Sequence, residues 1–365
     1  MYKAIQNSPI KFGVAVFGIL LLIVLGWYLC ITWKSPLDPA LDLPTVTPAE
    51  VVVDVDPTNT PSQQGTSKKT DTPEPTLTPT IEPVCDGPLS MTILVSGVAS
   101  EEYTYGLADA IRVARVDFQK RKVTVLAFPR ELWVEIPGIE DDTGVTHGLL
   151  NMSYFYGTEE MGYADGSGTG SSSLALTLQK NYGLQVDYYI AVNLSGFREI
   201  VDAIGGIDVY LDGDVYRGHY GPFARQTLFL KSGQHHLDGK EAEILVRQRL
   251  DTNPGTRMQY QTIVLEALAV KMLTRSGLKR LPALIDRLRD AVRTDLSPQQ
   301  ISKLVCLAEK IDPQKDVIYT QIPEKLLVDT RNYFAPFDSN IYSKVEKEEG
   351  SLLELMTEFQ NGEWP

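Results

Sequence analysis

Three apolar runs decide the fold. They are Met91-Thr92-Ile93-Leu94-Val95-Ser96-Gly97-Val98, then Asp109-Ala110-Ile111-Arg112-Val113-Ala114-Arg115-Val116-Asp117, then Lys122-Val123-Thr124-Val125-Leu126-Ala127-Phe128. Each has strand length and is rich in β-branched residues. The polar joint Gln119-Lys120-Arg121 ties the second run to the third as a hairpin. The runs are mostly apolar on both faces, so the sheet they build is covered on both sides. Farther along, helix and strand signals alternate. Ser195 is placed to cap a helix that stops at Gly205-Gly206, and strand Ile207–Leu211 follows. Asp238 and Glu241 make a capping pattern for a helix ending near Arg247. Another helix is expected from about Met258 to Thr274. From about residue 277 the tail reads as mostly helical, with a start at Ser297-Pro298-Gln299-Gln300. The order predicts an α/β fold, a mixed central sheet sandwiched between helices.

Outward from this unit, the start of the chain is different material. Residues 12–33 carry no charge and are bounded by Lys11 and Lys34. As a helix they would be about 33 Å long, which matches a hydrocarbon core of roughly 30 Å. Trp27, Tyr28 and Trp33 stand toward the second interface. No small-residue cleavage site follows, which favours an uncleaved anchor over a signal peptide. Residues 34–88 read as a Thr/Pro-rich linker, a disordered stalk, since 11 of the 22 prolines lie between Pro36 and Pro88. Such a stretch cannot bury enough apolar surface to offset its ordering entropy. The expected organisation is therefore residues 1–11 in the cytoplasm, a transmembrane helix over 12–33, the linker over 34–88, a globular domain over 89–275, and a mainly helical extension over 276–365 packed on it. The expected place is the cell membrane, single-pass, with the C-terminal domain outside the cell.

The net charge of −13 is spread unevenly. Residues 1–34 carry +3, residues 35–88 carry −7, and the rest carry −9. No segment has the basic excess that nucleic-acid phosphates demand. Of the three cysteines, Cys30 falls in the apolar run, while Cys85 and Cys306 belong to the outer part. An even pair outside the cell predicts a Cys85–Cys306 disulfide, with two unrelated thiols as the alternative. The four histidines, His147, His219, His235 and His236, lack zinc spacing.

Within the acidic outer part, arginines gather at Arg130, at Arg247 and Arg249, and at Arg257, one helical turn before Gln261. An Arg fork suits phosphate oxygens. Asp109, at the start of a strand, could hold a hard cation such as Mg²⁺. The plainer alternative is a set of surface salt bridges.

The order of motifs bears on that choice. Leu94-Val95-Ser96-Gly97, Asp109, Phe128-Pro129-Arg130-Glu131, Leu150-Asn151-Met152-Ser153-Tyr154-Phe155-Tyr156-Gly157, Val186-Asp187-Tyr188-Tyr189, Val201-Asp202-Ala203-Ile204-Gly205-Gly206-Ile207-Asp208-Val209, Gly233-Gln234-His235-His236-Leu237-Asp238-Gly239-Lys240 and Arg247-Gln248-Arg249 follow one another over about residues 90–275. Together they resemble the LytR-CpsA-Psr family of cell-wall glycopolymer transferases. The resemblance implies a membrane-anchored phosphotransferase that moves a glycopolymer phosphate from a polyprenyl pyrophosphate carrier to peptidoglycan or another wall polymer, with Mg²⁺ as cofactor. It implies Asp109 and Arg130 as catalytic residues, Asp109 as the metal ligand, and Arg247, Arg249, Arg257 and Gln261 on the pyrophosphate. The chain departs from the family pattern at Ala99, Leu107, Glu131, Pro254 and Tyr260. A relative that binds lipid-linked glycan or wall polymer as scaffold or regulator is the alternative.

Overall fold

The structure is a computed structural model and describes residues 32–41, 43, 82–161, 169–217, 227–248, 254–274, 277 and 291–365. All but Thr32 and Trp33 of the expected span over 12–33 lies outside the described residues. Among those described, no helix is long and apolar enough to cross a membrane.

The three apolar runs become β1 (Ser90–Val98), β2 (Ala108–Asp117) and β3 (Lys122–Phe128), antiparallel neighbours. The turn between β2 and β3 closes where the Lys120 N–H donates to Asp117 Oδ1 (2.6 Å). A short hairpin follows, β4 (Trp133–Glu135) with β5 (His147–Leu149), and then helices α1 (Leu150–Tyr156) and α2 (Gly170–Tyr182). The chain returns through β6 (Tyr188–Val192), parallel to β1. Beyond it come α3 (Leu194–Ala203), β7 (Ile207–Leu211), β8 (Val215–Arg217), β9 (Thr227–Leu230), β10 (Gly233–Leu237), α4 (Gly239–Val246) and α5 (Pro254–Met272). The last stretch holds β11 (Val292–Thr294), α6 (Pro298–Ala308), β12 (Val317–Gln321), the hairpin β13 (Leu327–Phe334) with β14 (Ser339–Glu346), and α7 (Ser351–Asn361).

The central sheet has the order β11-β6-β1-β2-β3-β12 and is mixed, with β1–β6 and β3–β12 parallel and the rest antiparallel. Side chains alternate across it. Leu94, Ile111, Val113, Leu126 and Phe128 point to one layer, where Leu174 and Leu178 of α2 and Met356 and Phe359 of α7 complete a dry core. Met91, Ile93 and Val116 point to the other and meet Leu307 of α6. A separate cluster, with Val201, Ile207, Leu237, Leu245 and Val264, holds α3, α4 and α5 to the β7–β10 pair.

The structure moves three sequence expectations. The α3 cap is Asn193, whose side chain accepts from the Gly196 N–H (2.7 Å), and not Ser195, whose hydroxyl donates to Glu101 O. The described residues of 276–365 do not form a mainly helical extension. They supply both edge strands of the central sheet, β11 and β12, and the β13–β14 hairpin, so the globular domain runs past residue 275 to the end of the chain. Nor is all of 34–88 a free linker. Asp38 exchanges two hydrogen bonds with Thr294 of β11, its N–H to Thr294 O (3.0 Å) and its Oδ2 from the Thr294 N–H (2.7 Å). The Leu41 N–H donates to Asp295, and Leu41 and Leu43 pack against the core. The edge strand thereby gains a partner for its open side. At the other end of the linker, Cys85 is bonded to Cys306 of α6, as expected from the cysteine count.

Candidate functional site

A cavity of about 730 Å³ opens between the sheet and helices α3, α4 and α5. Its walls are mostly apolar, with Val95 of β1, Val192 of β6, Phe197 and Ile200 of α3, and Val264, Leu265 and Leu268 of α5. The polar residues are Ser96, Asp109, Arg112, Asn193, Glu243, Arg247, Gln248, Arg257 and Gln261. The cavity exists because the core of α3–α5 and the cores of the sheet are separate clusters. Gly239 lets α4 come close to α3, since a Cβ there would stand 2.4 Å from Arg198 O.

Asp109 lies near the start of β2, and Arg130 stands two residues past β3, the neighbouring strand. Arg130 Nη1 donates to Asp109 Oδ1 (2.5 Å), and Asn151 Nδ2 donates to the same oxygen (3.1 Å). The Asn151 N–H holds Arg130 O in turn (3.1 Å), so the loop after β3 and the start of α1 fix one another. Burial presses the Asp109 carboxyl pKa upward, but Arg130, Arg257 and Asn151 together outweigh it and hold the group below the ordinary carboxylate value. Asp109 is a poor proton acceptor at neutral pH and a firm anchor for a guanidinium.

Near the start of α5, Arg257 Nη2 stands 3.8 Å from Glu131 Oε2, both side chains about nine-tenths buried. Gln261, one turn on, donates to Asp109 O (3.4 Å). At the end of α4, Arg247 pairs with Glu243 (2.6 Å), which also accepts from Arg198 (2.6 Å). Arg247 is 57% exposed and stands at the rim. The structure thus brings Asp109, Arg130, Arg257 and Gln261 together, with Arg247 at the cavity's edge. Arg249 lies outside the described residues.

Sequence reasoning missed two members. Asn151 was inside a quoted motif without a role, and it holds Asp109. Arg112 stands in the second apolar run, where sequence reasoning assigned it no role. It faces the cavity because it shares a side of the sheet with its register partner Val95, while Ile111 and Val113 face the opposite core. The available signal was the alternation itself, a charged residue at an inward position of a sheet covered on both sides.

A divalent cation fits this cluster poorly. Among the described residues no group of three or more His, Cys, Asp or Glu is placed to hold a metal ion. Asp109 is one carboxylate, already engaged by a guanidinium and an amide, with Arg257 close enough to lower its pKa. The charge-stabilising groups the chain itself offers are guanidiniums.

Comparison with known proteins agrees with this architecture. The LytR_cpsA_psr family model matches residues 52–350. The polyisoprenyl-teichoic acid–peptidoglycan teichoic acid transferase TagU of Oceanobacillus iheyensis is 27% identical over 223 residues, covering 59% of this chain and 62% of that protein. The regulatory protein MsrR of Staphylococcus aureus is 28% identical over 243 residues, covering 66% of each. The chain therefore spans less than two thirds of the length of these relatives. Among solved structures, TagV of B. subtilis aligns with a TM-score of 0.56 at 20% identity, over 75% of this chain and 96% of that one. The gbs0355 protein of Streptococcus agalactiae aligns with a TM-score of 0.59 at 18% identity, over 74% and 87%. These structures share the fold, and the extent of the family match establishes that the chain belongs to the LytR_cpsA_psr family.

Proposed function

We propose that this chain is a membrane-anchored phosphotransferase outside the cell, which moves a glycopolymer phosphate from a polyprenyl pyrophosphate carrier to peptidoglycan or another wall polymer. One observation carries the reading. A largely apolar cavity has Asp109, Arg257 and Gln261 on its wall, with Arg130 paired to Asp109, which suits a lipid with an anionic head. The name of the TagU relative supports it.

In the transfer, an acceptor hydroxyl oxygen forms a bond to the glycan-linked phosphorus. The bond from that phosphorus to the bridging oxygen breaks, and polyprenyl phosphate leaves. The acceptor's proton goes to solvent, since Asp109 is too acidic to take it. Negative charge spreads over the phosphate oxygens, and guanidiniums stabilise it where it develops. Arg130 is the residue placed to do so, held in aim by Asp109 and Asn151. Arg257 adds a second cation, and Arg247 meets the head of the substrate at the rim. The resemblance also brings an expectation of Mg²⁺ on Asp109. The residues present would offer such an ion one carboxylate, that of Asp109, and no step above depends on it.

The test uses the full chain in detergent with a polyprenyl-pyrophosphate-linked glycan and peptidoglycan. Transfer that is lost in Arg130→Ala and Asp109→Ala supports the enzyme. A second reading, a lipid-glycan binder with a regulatory role, draws on the likeness to MsrR and on the engaged state of Asp109. Binding of the lipid without turnover in any acceptor would replace the first reading by the second.

A further inference from the structure

Arg112 is 2% exposed, yet it lines the cavity. Its Nη1 donates to Ile111 O (3.1 Å), and its Nη2 donates to Gln261 Oε1 (3.2 Å) and Met258 O (3.5 Å). Every one of these acceptors is neutral. Among the described residues no carboxylate is paired with it, and the charged neighbour that acts on it is Arg257, a second cation. Burial and that neighbour push its pKa down to about 10, so it remains charged at neutral pH. A guanidinium taken out of water without a counter-ion is costly to hold. The other arginines of the site each have an acid: Arg130 has Asp109, Arg257 has Glu131, Arg247 has Glu243. Arg112 alone in this set is left to be neutralised by what enters the cavity.

We propose that Arg112 binds the phosphate attached to the prenyl chain, and that it makes the cavity select charged prenyl lipids over neutral ones. The proposal rests on the reading of the cavity as the lipid site. Two neighbouring cations, Arg112 and Arg257, form a socket for a single phosphate, whose charge offsets both. The cost of holding Arg112 unneutralised in the free protein is recovered only when that phosphate arrives.

The experiment compares geranylgeranyl pyrophosphate, geranylgeranyl monophosphate and geranylgeraniol as ligands of the full chain in detergent, with the melting temperature of the free protein recorded alongside. The unaltered chain should bind both phosphates more tightly than the alcohol. Arg112→Met should lose roughly 10- to 100-fold of phosphate affinity, the worth of a charged hydrogen-bonded contact, while binding the alcohol as before. The free Met variant should melt no lower than the parent, because it has lost a buried charge with no counter-ion. Arg112→Lys, which keeps the charge and loses the fork, should retain part of the preference. An unchanged preference in Arg112→Met overturns the proposal and leaves the proposed function standing. So does a variant that melts well below the parent, since Arg112 would then be structural. Failure of the unaltered chain to bind any of the three lipids overturns the proposed function itself, and this proposal with it.

Discussion

Asp109 is held charged by its neighbours, and this sets what it can do. Because its pKa in the folded chain lies below the ordinary carboxylate value, its charge is intact throughout the neutral range. The Asp109–Arg130 contact contributes fully above the unfolded pKa and is lost as pH falls through the lower folded value. Transfer measured between pH 5 and pH 8 should therefore show no break attributable to Asp109. A break in that range that disappears in Asp109→Asn would count against the assignment. Asp109→Asn itself should lower turnover by about 100-fold, with lipid affinity changed only a few-fold, because it releases Arg130 from its aim and leaves the cavity intact. Kinetics that separate kcat from lipid binding decide this. Asp109, Arg130, Arg257 and Gln261 were legible in the sequence as one group through the gathering of arginines and the family resemblance. Asn151 and Arg112 were harder to see. The role of each depends on which strand lies beside which, and that pairing joins residues far apart in the chain.

At the scale of elements, the legible parts were those whose signals are local. β1, β2 and β3 announce themselves by apolar runs, and α4 and α6 by capping boxes in which Asp238 pairs with Glu241 and Ser297 with Gln300. Ser297→Ala should cost about 1 kcal/mol, read as a shift in the denaturant midpoint at constant slope. The edge strands β11 and β12 were not legible. β11 is three residues long, and β12 is half-buried along its whole length, so neither shows an alternating pattern. β13 and β14 are mostly exposed and polar, which is why the tail read as helical. The edge strands β11 and β12 depend on a sheet formed by residues about 100 and about 200 positions earlier. The Cys85–Cys306 bond closes a separation of 221 residues and ties the entry of β1 to α6. Replacing both cysteines by Ser should lower stability by about 2–5 kcal/mol, and the same loss should follow reduction of the parent chain. Equal denaturation curves with and without reductant would show that the bond carries no stability.

Across the whole molecule, one domain gathers from both ends of the chain. Residues 36–43 arrive at β11, residues from Val84 onward arrive at β1, and the tail closes both sides of the sheet. The composition of 34–88 indicated a spacer, and its first ten residues do something else. If the apolar run ends at Trp33, five residue steps, through four intervening residues, lead from it to the contact of Asp38 with Thr294. Fully extended, they reach about 17 Å. Reach is thus set by these few residues, while the Thr/Pro-rich stretch after Leu43 lies between two points already fastened to the domain. Removing about half of residues 46–80 should leave transfer from membrane-borne lipid unchanged. Inserting about ten Gly/Ser residues between Lys34 and Pro36 should weaken it, because the longer leash lowers the local concentration of cavity at the bilayer surface. The two variants, compared at equal membrane density, exchange the roles that composition alone assigned. The conspicuous segment is indifferent to length, and the four inconspicuous residues govern how near the membrane the domain works.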